Sequence, residues 1–292
     1  MANRPVFVVN ERKPYYTTLS AEFPWAGGFA ASQKQKNIAA MHRCFERAYP
    51  GKHALEISSK STEPWGIGAS AFHLLKNVPS LGKKVPVENV FQAAKVFSGG
   101  GPYRDLLDCA PIEAKRDGRL SASGELRTFR FEGVDYPLIP RTIFYDFIYI
   151  NALLENPELA AKLVEYDGFT DIAFNPEKSL NCQARSAAIF VALHRLGKLE
   201  DARSFDSFIA LFATAPAQKA PAPSQTTLRK PEHSPQKLHI DDYIQHPAFG
   251  TGKIIEMSET TVKAMFESVG EKVLGMPWVL EHCEVKEKEQ KQ

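Results

Sequence analysis

Glu88, Gln92 and Lys95 stand at i, i+4 and i+7 in the segment Val87-Glu88-Asn89-Val90-Phe91-Gln92-Ala93-Ala94-Lys95. On a helix this spacing stacks a carboxylate, an amide and an amine along one stripe. Val90, Phe91, Ala93 and Ala94 between them are apolar, so the helix is expected to be buried on most sides. A polar stripe on such a helix needs a partner or a cleft. A second basic pair, Lys115-Arg116, follows at short distance. A carboxylate of this kind can do acid–base work, and a buried amine of lowered pKa can act as a nucleophile. The competing reading is a solvated helix face carrying a weak ion pair.

The elements that must hold these groups can be read from periodicity. Residues 6–9 and 55–58 read as short strands. In 33–49, Ile38, Met41, Cys44 and Phe45 fall at helical spacing. Pro86 precedes the Glu88 helix. Asn156-Pro157 places an N-cap before a proline at N1 and opens a helix to about Tyr166. Residues 183–196 are apolar almost all round, which predicts a central buried helix stopped at Gly197. A last helix covers 206–212. Helix outweighs strand, so residues 1–213 are expected to form an α+β domain dominated by helices.

Residues 214–236 hold Pro216, Pro221, Pro223, Pro231 and Pro235, with Leu228 as the one large apolar residue. Such a segment cannot bury a core and reads as a semi-extended linker. Residues 237–285 look all-β, with short strands at 243–246, 253–257, 262–266 and 272–274. The expected form is a five-stranded SH3-like barrel, followed by a charged, frayed tail at 286–292.

Composition is that of a soluble globular chain: 292 residues, 43% hydrophobic, 24% charged, net charge +2. No apolar run approaches the roughly 20 residues of a membrane span, and the N-terminus lacks a signal-peptide layout. Cys44, Cys109, Cys182 and Cys283 are scattered without metal-ligand or disulfide spacing. A reducing cytoplasm and metal-independent, cofactor-free chemistry are therefore expected. Residues 1–213 carry 26 basic and 23 acidic groups, and 237–292 carry 7 and 10. Neither region is the basic body of a non-specific DNA binder.

Several motifs, taken in order, resemble the NADAR family. They are Glu88-x3-Gln92-x2-Lys95, then Pro111-x2-Ala114-Lys115-Arg116-x2-Arg119, with Ala69-Ser70-Ala71-Phe72-His73-Leu74 ahead of them. Phe144-Tyr145-Asp146, Asn156-Pro157-Glu158-Leu159 and Ser179-Leu180-Asn181-Cys182-Gln183-Ala184-Arg185 follow. Gly28-Phe29-Ala30, Ser32-Gln33-Lys34-Gln35-Lys36 and Leu55-Glu56-Ile57-Ser58-Ser59-Lys60-Ser61 resemble its antitoxin branch, whose partners are Dar-type toxins that ADP-ribosylate guanine in DNA. In most of the family an acidic residue and a Trp-Gly-x-Gly element lie near the C-terminal end of the domain. Here Glu56 and Trp65-Gly66-Ile67-Gly68 precede the Glu88 helix, as a circular rearrangement would place them.

The resemblance implies cleavage of an N-glycosidic bond, with an essential glutamate and lysine. Such cleavage passes through an oxocarbenium-like centre that needs a nearby carboxylate and an activated water or nucleophile. Glu88 is the first carboxylate candidate and Glu56 the second. Ser58 and Lys60 alternate with Glu56 and would share its face on a strand. Lys95 or Lys115, beside Arg116, would be the amine, and the sequence does not choose between them. Gln92 completes the stripe. Asn181 and Arg185, at the start of a helix, would meet the pyrophosphate of ADP-ribose. Trp65, Phe72 and Tyr145 would stack on a base.

The implied substrate is ADP-ribosylated guanine in DNA, with a cognate toxin as a functional partner. The alternatives are a riboflavin-pathway nucleotide and recognition of ADP-ribose without cleavage. His246-Pro247-Ala248-Phe249-Gly250-Thr251-Gly252 resembles Tudor-like tails of repair helicases and the RNA-polymerase-interacting domains of CarD-type factors. RNA polymerase or a repair protein is thus the expected partner of the C-terminal region.

Overall fold

Alternation along the first strand builds the sheet that anchors the molecule. The computed structural model describes residues 1–28, 30–175, 181–213, 238–246, 250–258, 261–266, 270–275, 279 and 284–286. The expected linker 214–236 lies outside these residues. So do Phe29, Ser179-Leu180, Pro247-Ala248-Phe249 and the tail beyond 286. The chain divides into two units, Met1–Ala217 and Gln218–Gln292.

In the first unit, β1 (Ala2–Val9) and β2 (Tyr16–Phe23) pair antiparallel. Helix α1 (Ala31–Ala48) follows, then β3 (Ala54–Glu56) and α2 (Pro64–Gly68). A hairpin of β4 (Leu75–Val78) and β5 (Lys83–Pro86) leads into α3 (Val87–Ala93). Next come β6 (Lys95–Phe97), α4 (Pro111–Arg116), α5 (Arg119–Ala122), β7 (Leu126–Phe131) and β8 (Val134–Tyr136). The unit closes with α6 (Ile143–Leu154), α7 (Pro157–Leu163), β9 (Gly168–Thr170), α8 (Gln183–Arg195) and α9 (Phe205–Phe212).

The main sheet has the order β2-β1-β9-β3. Val6 and Val8 turn one way, into a cluster with Ile38, Met41 and Phe45 of α1. Phe7, Leu55 and Phe169 turn the other way, into the large core of α6 and α8. Strand alternation thus divides two cores between the two faces of one sheet. β3 runs parallel to β9, with Glu56 opposite Thr170. Both strands therefore deliver their last residues to the same edge.

α8 is apolar and buried as the sequence implies, with Ala187, Ala188, Val191 and Leu193 fully enclosed. Gly197 ends it at φ +66, where its N–H bonds the His194 carbonyl and the Lys198 N–H bonds that of Leu193. The α+β reading holds, but strands contribute more than helix dominance implied. β2 and β4 to β9 add to the two expected strands because short pairings leave little periodicity in sequence.

The second unit contains a five-stranded antiparallel sheet: β10 (Tyr243–His246), β11 (Gly250–Met257), β12 (Thr261–Phe266), β13 (Gly270–Gly275) and β14 (Glu284–Lys286). Its order is β13-β12-β11-β10-β14. Among the described residues β13 and β14 are edges that do not pair, so the expected barrel is an open sheet here. Ile244, Ile254, Val262, Ala264 and Phe266 form its core. Gly252 faces Phe266 across the strands, and a Cβ at Gly252 would stand 2.4 Å from that ring. The glycine lets the phenylalanine lie over the backbone.

Candidate active site

Position in the chain, and not only helical spacing, brings Glu88 and its neighbours together. Pro86 sits at the N-cap of α3 and offers no side-chain cap. The first turn is instead held by the preceding loop: the Glu88 N–H donates to the Ala71 carbonyl and the Val87 N–H to that of Leu74, both at 2.9 Å. Glu88 and Gln92 are both buried. Gln92 Nε2 donates to Glu88 Oε1 at 2.8 Å, and Lys95 Nζ donates to Gln92 Oε1 at 2.7 Å. The carboxylate, amide and amine form one chain.

α3 ends at Ala93, and Lys95 opens β6 instead of continuing the helix. The strand is fixed by β7, whose Arg130 N–H bonds the Ala94 carbonyl. Gly101, at φ +89, passes beneath the Lys95 carbonyl, where a Cβ would come within 2.3 Å. The Lys95 amine still reaches Gln92, because a residue just past the helix end lies above the last turn.

Asn89 supplies the second lysine. It is fully buried, and its Nδ2 donates to the carbonyls of Leu106 at 2.7 Å and Cys109 at 2.9 Å. This pins the segment leading to α4 against α3. Ala114 is buried in the contact. Lys115 then returns to within 3.9 Å of Glu88 Oε1, with its Nζ 5.3 Å from the centre of the Phe72 ring. The Lys115 side chain is 55% exposed and that of Glu88 only 8%, so the cluster opens to solvent on the Lys115 side.

Lys95 is half-buried, with Nζ 4.8 Å from the Phe91 ring centre. Burial pulls its amine down to about 8; the nearby Glu88 carboxylate opposes this, and Lys115 adds to the lowering. The site therefore holds two amines in unlike surroundings around one buried carboxylate.

A second carboxyl group stands at the ends of β3 and β9. Glu56 is buried and accepts from Ser58 Oγ and Thr170 Oγ1 at 2.6 Å and from the Ile172 N–H at 2.9 Å. Thr170 Oγ1 lies 3.0 Å from Nε2 of His42, whose imidazole burial lowers to about 4. Glu56 also borders a cleft of about 380 Å³ with His42, Ser61 and Glu63.

Asp171 is nearly as buried as Glu56. Burial, and then the charge of Glu56, push its carboxyl up to about 7, while Lys115 pulls the other way. Burial raises Glu56 as well, against its three donors. Gln183 binds the edge together: Nε2 donates to Asp171 Oδ2 at 2.9 Å and to the Ile57 carbonyl at 2.6 Å, and Oε1 accepts from the Ala71 N–H at 2.7 Å. Ala71 adjoins Phe72 and also holds Glu88, so Gln183 couples the two carboxyl sites. Sequence reasoning missed Asp171, Thr170 and this role of Gln183. The only signal was the polar pair Thr170-Asp171 after Gly168-Phe169.

Other expected site residues lie elsewhere. β3 stops at Glu56, so Ser58 meets it through a turn and not by strand alternation. Lys60 is exposed, and its backbone N–H donates to Ser58 Oγ. Arg116 is exposed at the end of α4. Trp65 is 37% exposed in a separate cleft of about 510 Å³ with His73, Asn156 and Leu159, with Lys162 Nζ 5.5 Å from its ring. Tyr145 is buried edge-on to Phe91 and stacked on Tyr149, so it cannot act as an open platform. The helix of Asn181 and Arg185 begins at Gln183, with Cys182 as its N-cap.

Arg185 is a buried partner of Asp146, not an open phosphate ligand. Its Nη2 lies 2.9 and 3.0 Å from the two Asp146 oxygens, and Ser186 Oγ donates to the same carboxylate at 2.5 Å. Arg185→Ala should therefore cost about 3–5 kcal/mol in denaturant unfolding by stranding the Asp146 charge. An unchanged midpoint would contradict this placement.

Among the described residues, no group of three or more His, Cys, Asp or Glu could hold a metal ion, and no helix is long and apolar enough to cross a membrane. Fold and cluster together define an α+β domain that presents one carboxylate between two amines from a short buried helix. Over residues 2–222 the chain matches the family described as the DarT1-associated NADAR antitoxins, and it belongs to that family. No curated protein matches the chain.

Proposed function

We propose that the first unit is an N-glycosidase that removes ADP-ribose from guanine in DNA and so reverses the modification made by a DarT-type toxin. Family membership supports the antitoxin role. The observation that carries the chemistry is the Glu88–Gln92–Lys95 chain with Lys115 beside it. An amine lowered to about 8 is partly neutral near pH 7 and can attack carbon.

The sugar ring opens as the base nitrogen forms a C=N bond to the anomeric carbon, and the ring oxygen takes a proton. The neutral amine adds to that carbon, and guanine leaves as its amine with a proton. Water then hydrolyses the resulting lysine imine, freeing ADP-ribose and restoring the amine. Glu88 lies where it can carry the proton between these steps. Lys115 would stabilise charge on the oxygens.

The test is incubation of the purified chain, with EDTA, on a DNA oligonucleotide ADP-ribosylated at one guanine. Release of free ADP-ribose is expected. Tight binding without release would instead make this a recognition module, and turnover confined to riboflavin-pathway nucleotides would move the substrate. For the second unit we propose protein recruitment, to RNA polymerase or a repair protein, because residues 237–292 carry 7 basic and 10 acidic groups. Tight, salt-sensitive binding of plain DNA by the chain, lost on deletion of 237–292, would refute that.

A further inference from the structure

Three positive features meet at one end of the main sheet, and the chemistry above uses none of them. Trp25 packs against the cluster of Phe23, Ile38 and Ile172. The Arg4 guanidinium carbon lies 5.2 Å from the Trp25 ring centre, and Lys34 Nζ lies 5.2 Å from the same ring. Two like charges are thus drawn to one aromatic group. Among the described residues no carboxylate forms an ion pair with Arg4 or Lys34. Arg4 Nε is buried and has no hydrogen-bond partner there.

The start of α1 adds to this field. Its N-cap, Ala30, has no side chain able to cap, and its first turn contains no acid. An 18-residue helix leaves its positive dipole end uncompensated in that arrangement. Asn37, fully buried, holds the Trp25 segment against the second turn of α1: its Oδ1 accepts from the Ala26 N–H at 2.8 Å and its Nδ2 donates to the Ala26 carbonyl at 3.0 Å.

The position relative to the reaction site follows from strand direction. Phe45 lies over Gly168 and His42 meets Thr170, while Ile38 shares a cluster with Ile172. Toward its N-terminus, then, α1 runs to the edge where Glu56 and Asp171 stand. β1 is antiparallel to β9, with Phe7 opposite Phe169, so Arg4 lies toward that same edge.

We propose that Arg4 and Lys34, gathered on Trp25 at the start of α1, form a phosphate-binding site for the substrate. The inference rests on the glycosidase reading for the identity of the substrate, and not for the existence of the site. The shared chemistry is a phosphate oxyanion, supplied by the pyrophosphate of ADP-ribose or by the phosphodiester of the DNA strand. Arg4 and Lys34 supply charge-assisted hydrogen bonds, and the positive end of the helix dipole adds to their field. Trp25 anchors both side chains, each 5.2 Å from its ring centre, beside the start of α1.

The experiment is calorimetric titration of the full chain with two probes: free ADP-ribose and an unmodified single-stranded oligonucleotide, each at two salt concentrations. Arg4→Gln and Lys34→Gln should each weaken one probe about tenfold or more. Loss confined to ADP-ribose assigns the pyrophosphate. Loss for the oligonucleotide, with a shallower salt dependence, assigns the phosphodiester. Lys36→Gln is the control, since Lys36 is exposed and lies about 200° further round the helix. Lys34→Gln changes a first-turn side chain outside the core and keeps the test open if Arg4→Gln lowers stability. Wild-type affinity for both probes in both variants would overturn the proposal. Equal weakening by Lys36→Gln, or no binding of either probe by the wild type, would also overturn it. A wild type that binds a probe but cleaves nothing would sink the glycosidase reading and leave the phosphate site standing.

Discussion

Glu88→Gln is expected to slow release of ADP-ribose by about 10²–10⁴-fold while leaving the melting temperature near that of the wild type. The replacement is close to isosteric. Its carbonyl oxygen can still accept the Gln92 Nε2 bond that Glu88 Oε1 accepts now at 2.8 Å. What is lost is the charge and the ability to carry a proton. Glu88→Ala is a poorer probe, because it strands the buried Gln92 amide. A rate within a few-fold of wild type for Glu88→Gln, measured in single turnover, would reduce Glu88 to a structural acceptor. The variant carries a second readout. Glu88 opposes the lowering of Lys95, so its neutralisation should move the Lys95 amine further down and increase its neutral fraction at pH 7. If a neutral amine were all that the reaction needed, Glu88→Gln would be faster than wild type, not slower. The expected loss therefore isolates the proton-carrying role.

The stripe that carries these groups was legible because it is local. Glu88 and Gln92 share a helix turn, and helical spacing survives burial. Lys95 leaves the helix, yet its reach to Gln92 persists because only one residue separates it from the last turn. Arg185 was misread because its partner, Asp146, lies on another helix and only the packing of α6 on α8 joins them. Asp171 was invisible for a related reason. β9 is three residues long, and its partner β3 ends more than a hundred residues earlier, so neither periodicity nor spacing records the edge they share. The Trp-Gly-x-Gly element is legible as a motif, but the contact made by its first glycine is not. A Cβ on Gly66 would stand 2.1 Å from the Glu56 carbonyl oxygen, whereas Gly68 has ordinary clearance of 3.6 Å to Leu159. That glycine lets α2 close over the Glu56 turn, while Trp65 faces a different cleft. Motif recognition found residues that matter to the edge, but contact geometry was needed to say how.

Borohydride added during turnover should join ADP-ribose covalently to Lys95 and to no other lysine. The proposed intermediate is an imine, and hydride reduces its C=N bond to an amine that cannot hydrolyse. Peptide mass spectrometry would locate the adduct. Lys95 is the expected site because burial lowers its amine to about 8, with Nζ 4.8 Å from the Phe91 ring centre. At pH 7 roughly one molecule in ten then carries it neutral, against about one in three thousand for an unshifted lysine. The sign of the pH dependence follows. A lowered pKa means that the proton leaves at lower pH, so the single-turnover rate should rise as pH passes through about 8 and then level. A lysine acting only as a cation would give the reverse, a rate falling through the same pH. Lys115→Ala removes a charge that helps lower Lys95, so its profile should move to higher pH while trapping at Lys95 persists. Lys95→Arg keeps a positive charge but has no neutral form in this range, and it should lose both trapping and turnover. An adduct on Lys115 would reverse the assignment of the two amines. No adduct on any lysine, with turnover intact, would replace the imine by direct attack of water activated at Glu88.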